Sequence, residues 1–426
     1  MQRREFLEWF GLSGIAALAE RYWPRDGLWN DCAAEPTVPT LLAHPLVQAC
    51  WDGVDPTQFW DCHVHLIGVG DNGSGVWVNP RMRSLLSPWQ YAQFRFYLNA
   101  SCADRAQDRD GSFVERLLRL LDECPPGFKA MLLAFDYRYD EQGRRRTEAS
   151  AFHTPDAYAA ELAQRHPDRL RWIASVHPYR KDALAALDAA AASGACAVKW
   201  LPSAMGMDPG SPRCDEFYAA LKRRDLPLLV HCGTEYAVHG GADQQLGNPL
   251  RLRRPLEQGV RVIVAHCASL GTGRDLDRGA DGPELSNFEL FARLMDEPAY
   301  RQNLFGELAA VTQVNRADVV QATLIGRSDW HPRLINGSDY PLPGVLPLFS
   351  PGYFADRGWL TREQDELLRS VRVHNPLLFD FLLKRMLRID GQAFAPAVFM
   401  TRRHFDRTGS PGDANLVTVQ ASGSNQ

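Results

Sequence analysis

Two histidines one residue apart, His63 and His65, lie near the end of an apolar run, Phe59 to Leu66. Side chains at i and i+2 of a strand share a face, so both imidazoles can point the same way and form half of a metal site. Alone the pair says little, because 12 histidines in 426 residues produce roughly 0.3 such pairs by chance. Three further residues change this. His231 stands in the run Pro227 to Cys232, His266 in Arg261 to Cys267, and Asp339 follows Arg333 to Ser338 in Asn336-Gly337-Ser338-Asp339-Tyr340-Pro341. A satisfied core histidine explains any one of these, but ligand-type residues at four strand ends argue for one shared rim. Lys199, in Cys196 to Leu201, adds an amine. Turned inward it is desolvated, its pKa falls, and the neutral amine can take up carbon dioxide as a carbamate. Left unmodified, it would pair with an acid such as Glu307 or with an anionic substrate. Trp200 then faces the opposite way, as packing.

Elements that bring such residues together must repeat. Eight apolar runs alternate with amphipathic stretches: Phe59 to Leu66, Ala130 to Phe135, Leu170 to Val176, Cys196 to Leu201, Pro227 to Cys232, Arg261 to Cys267, Leu304 to Val311 and Arg333 to Ser338. Helices are expected at Pro155 to Arg165, Asp182 to Ala192, Cys214 to Arg224 and Glu284 to Met295, with Thr154 and Ser286 as caps. Eight strand-helix units over about 280 residues match a closed (β/α)8 TIM barrel, whose active sites lie at the C-terminal ends of the strands. A doubly wound open sheet would carry a glycine-rich phosphate turn where this chain has His63-Val64-His65.

Three long connections on that rim are candidate lids: Gly68 to Ser87, Gly271 to Pro283 and Pro341 to Gly358. Residues 57–390 are assigned to the barrel, 20–56 to an irregular lead-in and 391–426 to a C-terminal extension, with Arg407 to Gln426 expected to be disordered. Arg3-Arg4-Glu5-Phe6-Leu7, a short apolar stretch and Ala17-Leu18-Ala19 resemble a cleaved twin-arginine export signal over residues 1–19. The expectation is a periplasmic protein; the competing reading is a docked N-terminal helix and a cytoplasmic one. Nine cysteines do not decide between them, since Cys62, Cys196, Cys232 and Cys267 lie in core runs and read as small buried hydrophobes.

Composition narrows the partners. The chain is 45% hydrophobic and 23% charged, with a net charge of −4 and 47 scattered basic residues, which advertises no nucleic-acid surface. Mean hydropathy is −0.30 and no run reaches the ~18 apolar residues of a spanning helix. A small-molecule substrate is the expected partner, and an oligomer stays open.

Taken together, Asp61-Cys62-His63-Val64-His65, Ala197-Val198-Lys199, Leu229-Val230-His231, Val264-Ala265-His266, Gly337-Ser338-Asp339-Tyr340-Pro341 and Asn375-Pro376-Leu377-Leu378-Phe379 resemble the amidohydrolase superfamily, in its amidohydrolase-related branch. The resemblance implies that His63, His65, His231 and Asp339 bind a divalent metal, usually zinc. His266 either helps hold a second metal, with Lys199, or acts in catalysis. Zinc in an open site lowers the pKa of bound water toward ~7 and polarises a carbonyl. Asp339 is the expected proton acceptor, and His266 would steady the developing oxyanion. Hydrolysis of an amide, lactone or ester is the leading expectation. The alternatives are decarboxylation of an aromatic or unsaturated acid, and a non-catalytic metal-binding or ligand-binding barrel. His177-Pro178, Glu235, Tyr236, His239, Arg274 and Arg81 also stand on rim segments, the histidine at 177 read as packing and the arginines as solvated charges or carboxylate holders.

Overall fold

Eight short strands alternate with helices: β1 (Trp60–His65), β2 (Lys129–Leu133), β3 (Leu170–Ile173), β4 (Val198–Trp200), β5 (Leu228–His231), β6 (Val262–Ala265), β7 (Leu304–Glu307) and β8 (Leu334–Ile335). They belong to a computed structural model that describes residues 27–406 apart from 34, 105–106, 237, 239–242 and 280. The export-signal residues 1–19, His239 and the tail from Arg407 lie outside the described residues. Strands β1-β2-β3 form one parallel sheet and β4-β5-β6-β7-β8 another. Two parallel bridges join them. Ala174 pairs with Val198 between β3 and β4, and Val64 with Tyr340 between β1 and the segment after β8. The Lys199 N–H donates to Ala174 O at 2.7 Å and the His65 N–H to Tyr340 O at 2.9 Å, so the eight strands close into the expected barrel.

Alternation along the strands separates two cores. Met131, Leu133, Ile173, Leu229, Ile263 and Ile335 fill the barrel interior with Trp60 and Cys62, and Phe405 packs with them. Leu132, Trp172, Val198, Val230 and Val264 instead join the layer packed against the helices. Each large apolar side chain buried this way is worth about 1.5–3 kcal/mol, and the pattern puts every residue in phase with the axis or out of it. Phase breaks once in β1, where Asp61 pairs with Ala130 but Val64 pairs with Leu132. Cys62 and His63 together oppose one residue of β2, a β-bulge. Below it Trp60 and Cys62 face inward; above it Val64 faces the helices, so His63 and His65 both face the axis.

Several expectations need correction. The helix expected from Glu284 begins at Asn287, because Glu284–Ser286 pairs antiparallel with Thr272–Arg274. Ser286 does cap it, in a reciprocal capping box with Glu289. Thr154 caps nothing: its hydroxyl donates to Leu66 O at 3.4 Å and the helix starts after Pro155 without a side-chain cap. The lead-in holds two short helices, Pro39–Leu42 and Pro45–Ala49, and a disulfide joins Cys32 to Cys102. The seven other cysteines are free and buried, Cys62, Cys196, Cys232 and Cys267 among them. The segment from Gly68 to Ser87, a candidate lid, is tied to the body of the barrel at its first half. Asp110 accepts from the N–H groups of Val69 (2.6 Å) and Gly70 (3.0 Å) and from the Ser74 hydroxyl, and Trp77–Val78 pairs with Phe152–His153. Among the described residues no helix is long and apolar enough to cross a membrane.

Candidate metal centre

The strand ends bring His63, His65, His231, His266, Lys199 and Asp339 to one cavity, with Glu235, Tyr236 and Arg316 in its wall. The His63 ring lies tilted beside those of His65 and His266, with centroids 5.1 and 5.0 Å away, and His266 meets His231 edge-on at 5.1 Å. Asp339 Oδ1 lies 3.1 Å from His65 Nε2 and 3.4 Å from His63 Nε2. Ligand atoms of His63, His65 and Asp339 fall within 4.8 Å of one another, as do those of His63, His266 and Glu307.

Backbone shape aims these groups. His266, Cys267 and Ala268 have φ of 56°, 48° and 50°, Ala310 has 55° and Asp339 has 64°. Each left-handed non-glycine residue costs roughly 1 kcal/mol, and the packing that holds all five in place gathers them just beyond β6, β7 and β8. Such a gathering of outliers points to a site.

Hydrogen bonds then choose which ring nitrogens are presented. His266 Nδ1 lies 2.8 Å from Ala309 O; a carbonyl only accepts, so Nδ1 carries the proton and Nε2 keeps its lone pair. His63 Nδ1 lies 3.2 Å from Glu307 Oε2, a carboxylate already fixed by the His266 and Ala309 N–H groups. That is the carboxylate-histidine arrangement that orients a metal ligand through its other nitrogen. Glu307 is therefore the orienter of His63, and the His63, His65 and Asp339 group is the more open of the two clusters. The buried Nε2 of His231 stands 3.2 Å from Glu235 Oε2 without hydrogen-bond geometry. Burial and then the Lys199 charge hold His63 and His231 well below the ordinary histidine range; burial and Arg316 do the same to His266. All three are neutral, as ligation requires. The His63, His65 and Asp339 donor set, with the neutral His63 presented through Nε2, fits a divalent cation; among the described residues His231 lines the same cavity but falls in neither cluster.

Lys199 departs from expectation. Burial lowers its pKa, but among the described residues it makes no ion pair with Glu307; its Nζ lies 3.5 Å from His63 Nε2. Trp200 faces the helices as expected, donating to Val176 O at 2.9 Å. His177 is a packing histidine. Nε2 lies 2.9 Å from Met205 O, Nδ1 accepts from the Tyr179 N–H, and burial drives its pKa down to about 3. Arg81 and Arg274 are exposed and do not line the cavity.

Beneath the rim, three residues to which the sequence assigned no role, Asp61, Lys384 and Asp380, support the Asp339 turn. Buried Asp61 accepts from the N–H groups of Ser338 at 2.8 Å and His63 at 3.2 Å. Lys384, fully buried, donates to Gly337 O at 2.7 Å, Asn336 Oδ1 at 3.3 Å and Asp380 Oδ2 at 2.6 Å. Asp61 shares the motif with His63, which was a signal; Lys384 and Asp380, an i, i+4 pair on Pro376–Met386, carried none.

With this geometry in view, residues 60–377 match the amidohydrolase family model. The chain belongs to that family. Among solved structures, this amidohydrolase is similar to 5-carboxyvanillate decarboxylase from Sphingomonas paucimobilis, with 10% identity, 84% of this chain and 98% of that one covered, and a TM-score of 0.43. It is also similar to a probable 2-pyrone-4,6-dicarboxylic acid hydrolase from Acinetobacter baumannii (16%, 67% and 84%, TM-score 0.39). A third is a manganese complex of 5-carboxyvanillate decarboxylase from Novosphingobium aromaticivorans (14%, 75% and 94%, TM-score 0.39). No curated protein matches the chain.

Proposed function

We propose that this amidohydrolase is a metal-dependent hydrolase that opens a C–N or C–O bond of a small amide, lactone or ester. The observation that carries the reading is the presentation of the neutral His63 Nε2 toward Asp339, 3.4 Å from its Oδ1, with Glu307 behind the ring, beside His266 held by Ala309 O with Nε2 free to accept. His63, His65, His231 and Asp339 would hold one divalent ion, zinc by expectation. When bound, that ion supplies Lewis acidity, making water acidic and polarising a carbonyl. Asp339 then takes the proton of the attacking water and returns it to the leaving group, its carboxylate held beside His65 at 3.1 Å. His266 offers Nε2 to the oxygen on which charge develops. Lys199 stays an amine, so one ion suffices.

Metal content of the purified protein, measured by mass spectrometry before and after zinc is supplied, tests the centre. About one equivalent is expected, lost in Asp339→Asn and kept in Lys199→Ala. Protein that stays empty refutes the centre, and two equivalents falling in Lys199→Ala would replace one ion by a carbamate-bridged pair. The family also contains decarboxylases, so a substrate panel separates the chemistries: a new carboxylate supports hydrolysis, and carbon dioxide released from an aromatic or unsaturated acid refutes it.

We propose also that the protein is exported. The disulfide between Cys32 and Cys102 supports this, because structural disulfides persist in oxidising compartments. Fractionation and the mature N-terminus decide it: periplasmic protein cleaved after Ala19 is expected, an intact Met1 in periplasmic material refutes the cleavage, and protein confined to the cytoplasm refutes export.

A further inference from the structure

Beside the metal centre the cavity has two unlike ends. One is a side chamber walled by Ile67, Val76, Val78, Met82, Phe94 and Phe152, almost wholly apolar. His65, Tyr97, Val238 and Leu342 line both it and the metal cavity, so the two adjoin. Its wall is held by Asp110 and by the Trp77–Val78 ribbon, which makes it a preformed apolar pocket.

At the other end stands Arg316, on the segment after β7. Its Nε donates to Gln313 Oε1 and one terminal nitrogen to Ser269 Oγ, both at 3.1 Å. Both partners are neutral, and they use two of its five N–H groups. Among the described residues no acid pairs with it, although Glu235, Asp339 and Glu307 lie near enough to offset the lowering of its pKa by burial. Next to it, Asn315 has a buried side-chain Oδ1 with no hydrogen-bond partner, and Gln313, Asn315 and Arg316 all line the cavity. A buried cation with no acid in contact, beside an unsatisfied amide, is costly in an apoprotein and is explained by a ligand that completes it.

We infer that the substrate is a small amphipathic acid, its anionic end held by Arg316 on the His231 and His266 side and its apolar body seated in the side chamber beyond His65. Arg316 is a specificity residue in this scheme, and the reacting bond lies between the two ends, over Asp339. The inference rests on the proposed metal centre.

Calorimetric titration of the metal-loaded protein with 4-phenylbutyrate and its neutral, non-hydrolysable analogue 4-phenylbutan-1-ol tests it. The acid is expected to bind at least about tenfold more tightly than the alcohol, the value of a charge-assisted hydrogen bond. Arg316→Gln should erase that preference while leaving alcohol affinity and metal content unchanged. Val78→Trp, which fills the chamber, should weaken both probes. Failure of both probes to bind, an acid preference kept in Arg316→Gln, or unchanged affinities in Val78→Trp would overturn the inference. If Arg316→Gln does not fold, Arg316→Lys keeps the charge without the planar fork, and an acid preference as large as wild type would overturn it. Metal content measured on the same samples separates the readings: empty protein refutes the metal centre, whereas metal-replete Arg316→Gln with its preference intact refutes only the acid-binding role.

Discussion

Replacing Lys384 by methionine removes a fully buried ammonium without changing the volume much. Three acceptors lose their donor, Gly337 O, Asn336 Oδ1 and Asp380 Oδ2. Breaking one side of a buried ion pair costs about 3–5 kcal/mol, most of it from the charge left behind. At about 2 °C per kcal/mol for a barrel of this size, the thermal midpoint should fall by about 6–10 °C. The cost should depend on pH. Burial already pushes the Asp380 carboxyl up to about 7, and loss of the ammonium pushes it higher. A folded-state pKa raised above the unfolded value of 3.8 makes folding lose stability as pH rises from that value through the folded one. The deficit of Lys384→Met relative to wild type is therefore larger at pH 8 than at pH 5.5. Adding Asp380→Leu removes the stranded acid and should recover most of the midpoint, since a buried pair replaced by apolar groups is often neutral. It should not recover metal affinity, because the Asp339 turn still lacks its tether; a roughly 10- to 100-fold loss is typical for supporting groups of a metal site. Circular-dichroism melts and competition with a chromophoric chelator measure the two effects. A single variant within about 1 kcal/mol of wild type at pH 8, or a double variant with wild-type metal affinity, refutes the reasoning.

Reduction of Cys32–Cys102, a 70-residue separation, should cost up to roughly 4 kcal/mol by the loop-entropy relation. A thermal melt with and without reductant checks this, and no shift would mean the bridge adds nothing. Phe405→Ala should cost about 3–5 kcal/mol in chemical denaturation, since the ring is 1% exposed and packs inside the barrel; a loss under 1 kcal/mol would show that the extension is dispensable. Gly337→Ala should lower metal affinity at least about tenfold, because a Cβ there meets the Glu307 carboxylate and comes within 2.7 Å of His63 Cβ. Chelator competition showing wild-type affinity would contradict it.

The parts legible in the sequence were those governed by short-range periodicity. Apolar runs fall on all eight strands, and His63, His65, His231, His266 and Asp339 were placed by being strand-end residues of ligand type. What period could not convey was anything fixed by long-range approach. Glu307 orients His63 from β7, two strands along the barrel wall and 244 residues away in sequence, so only its acidity was visible. Arg316 sits on irregular backbone after β7, where no pattern distinguishes it from the arginines at 81 and 274. The pairing of Cys32 with Cys102 depends on how the lead-in crosses Pro88–Ala100, which composition does not encode. Lids were expected from loop length and glycine content, whereas the hydrogen bonds that tie the start of Gly68 to Ser87 come from Asp110, outside the loop.

The bulge in β1 works as a phase shifter between two instructions written on one strand. Below it the chain obeys the packing of the barrel interior, and above it the chain obeys the metal centre, with one surplus residue absorbing the mismatch. The two programmes can consequently drift independently. A change of size at Trp60 or Cys62 is answered by Met131, Leu133 and Phe405 without turning His63 or His65, whereas deleting a single residue between Asp61 and Val64 would exchange the ligand face for the helix-facing one. Tolerance to substitution and intolerance to deletion thus meet within four residues.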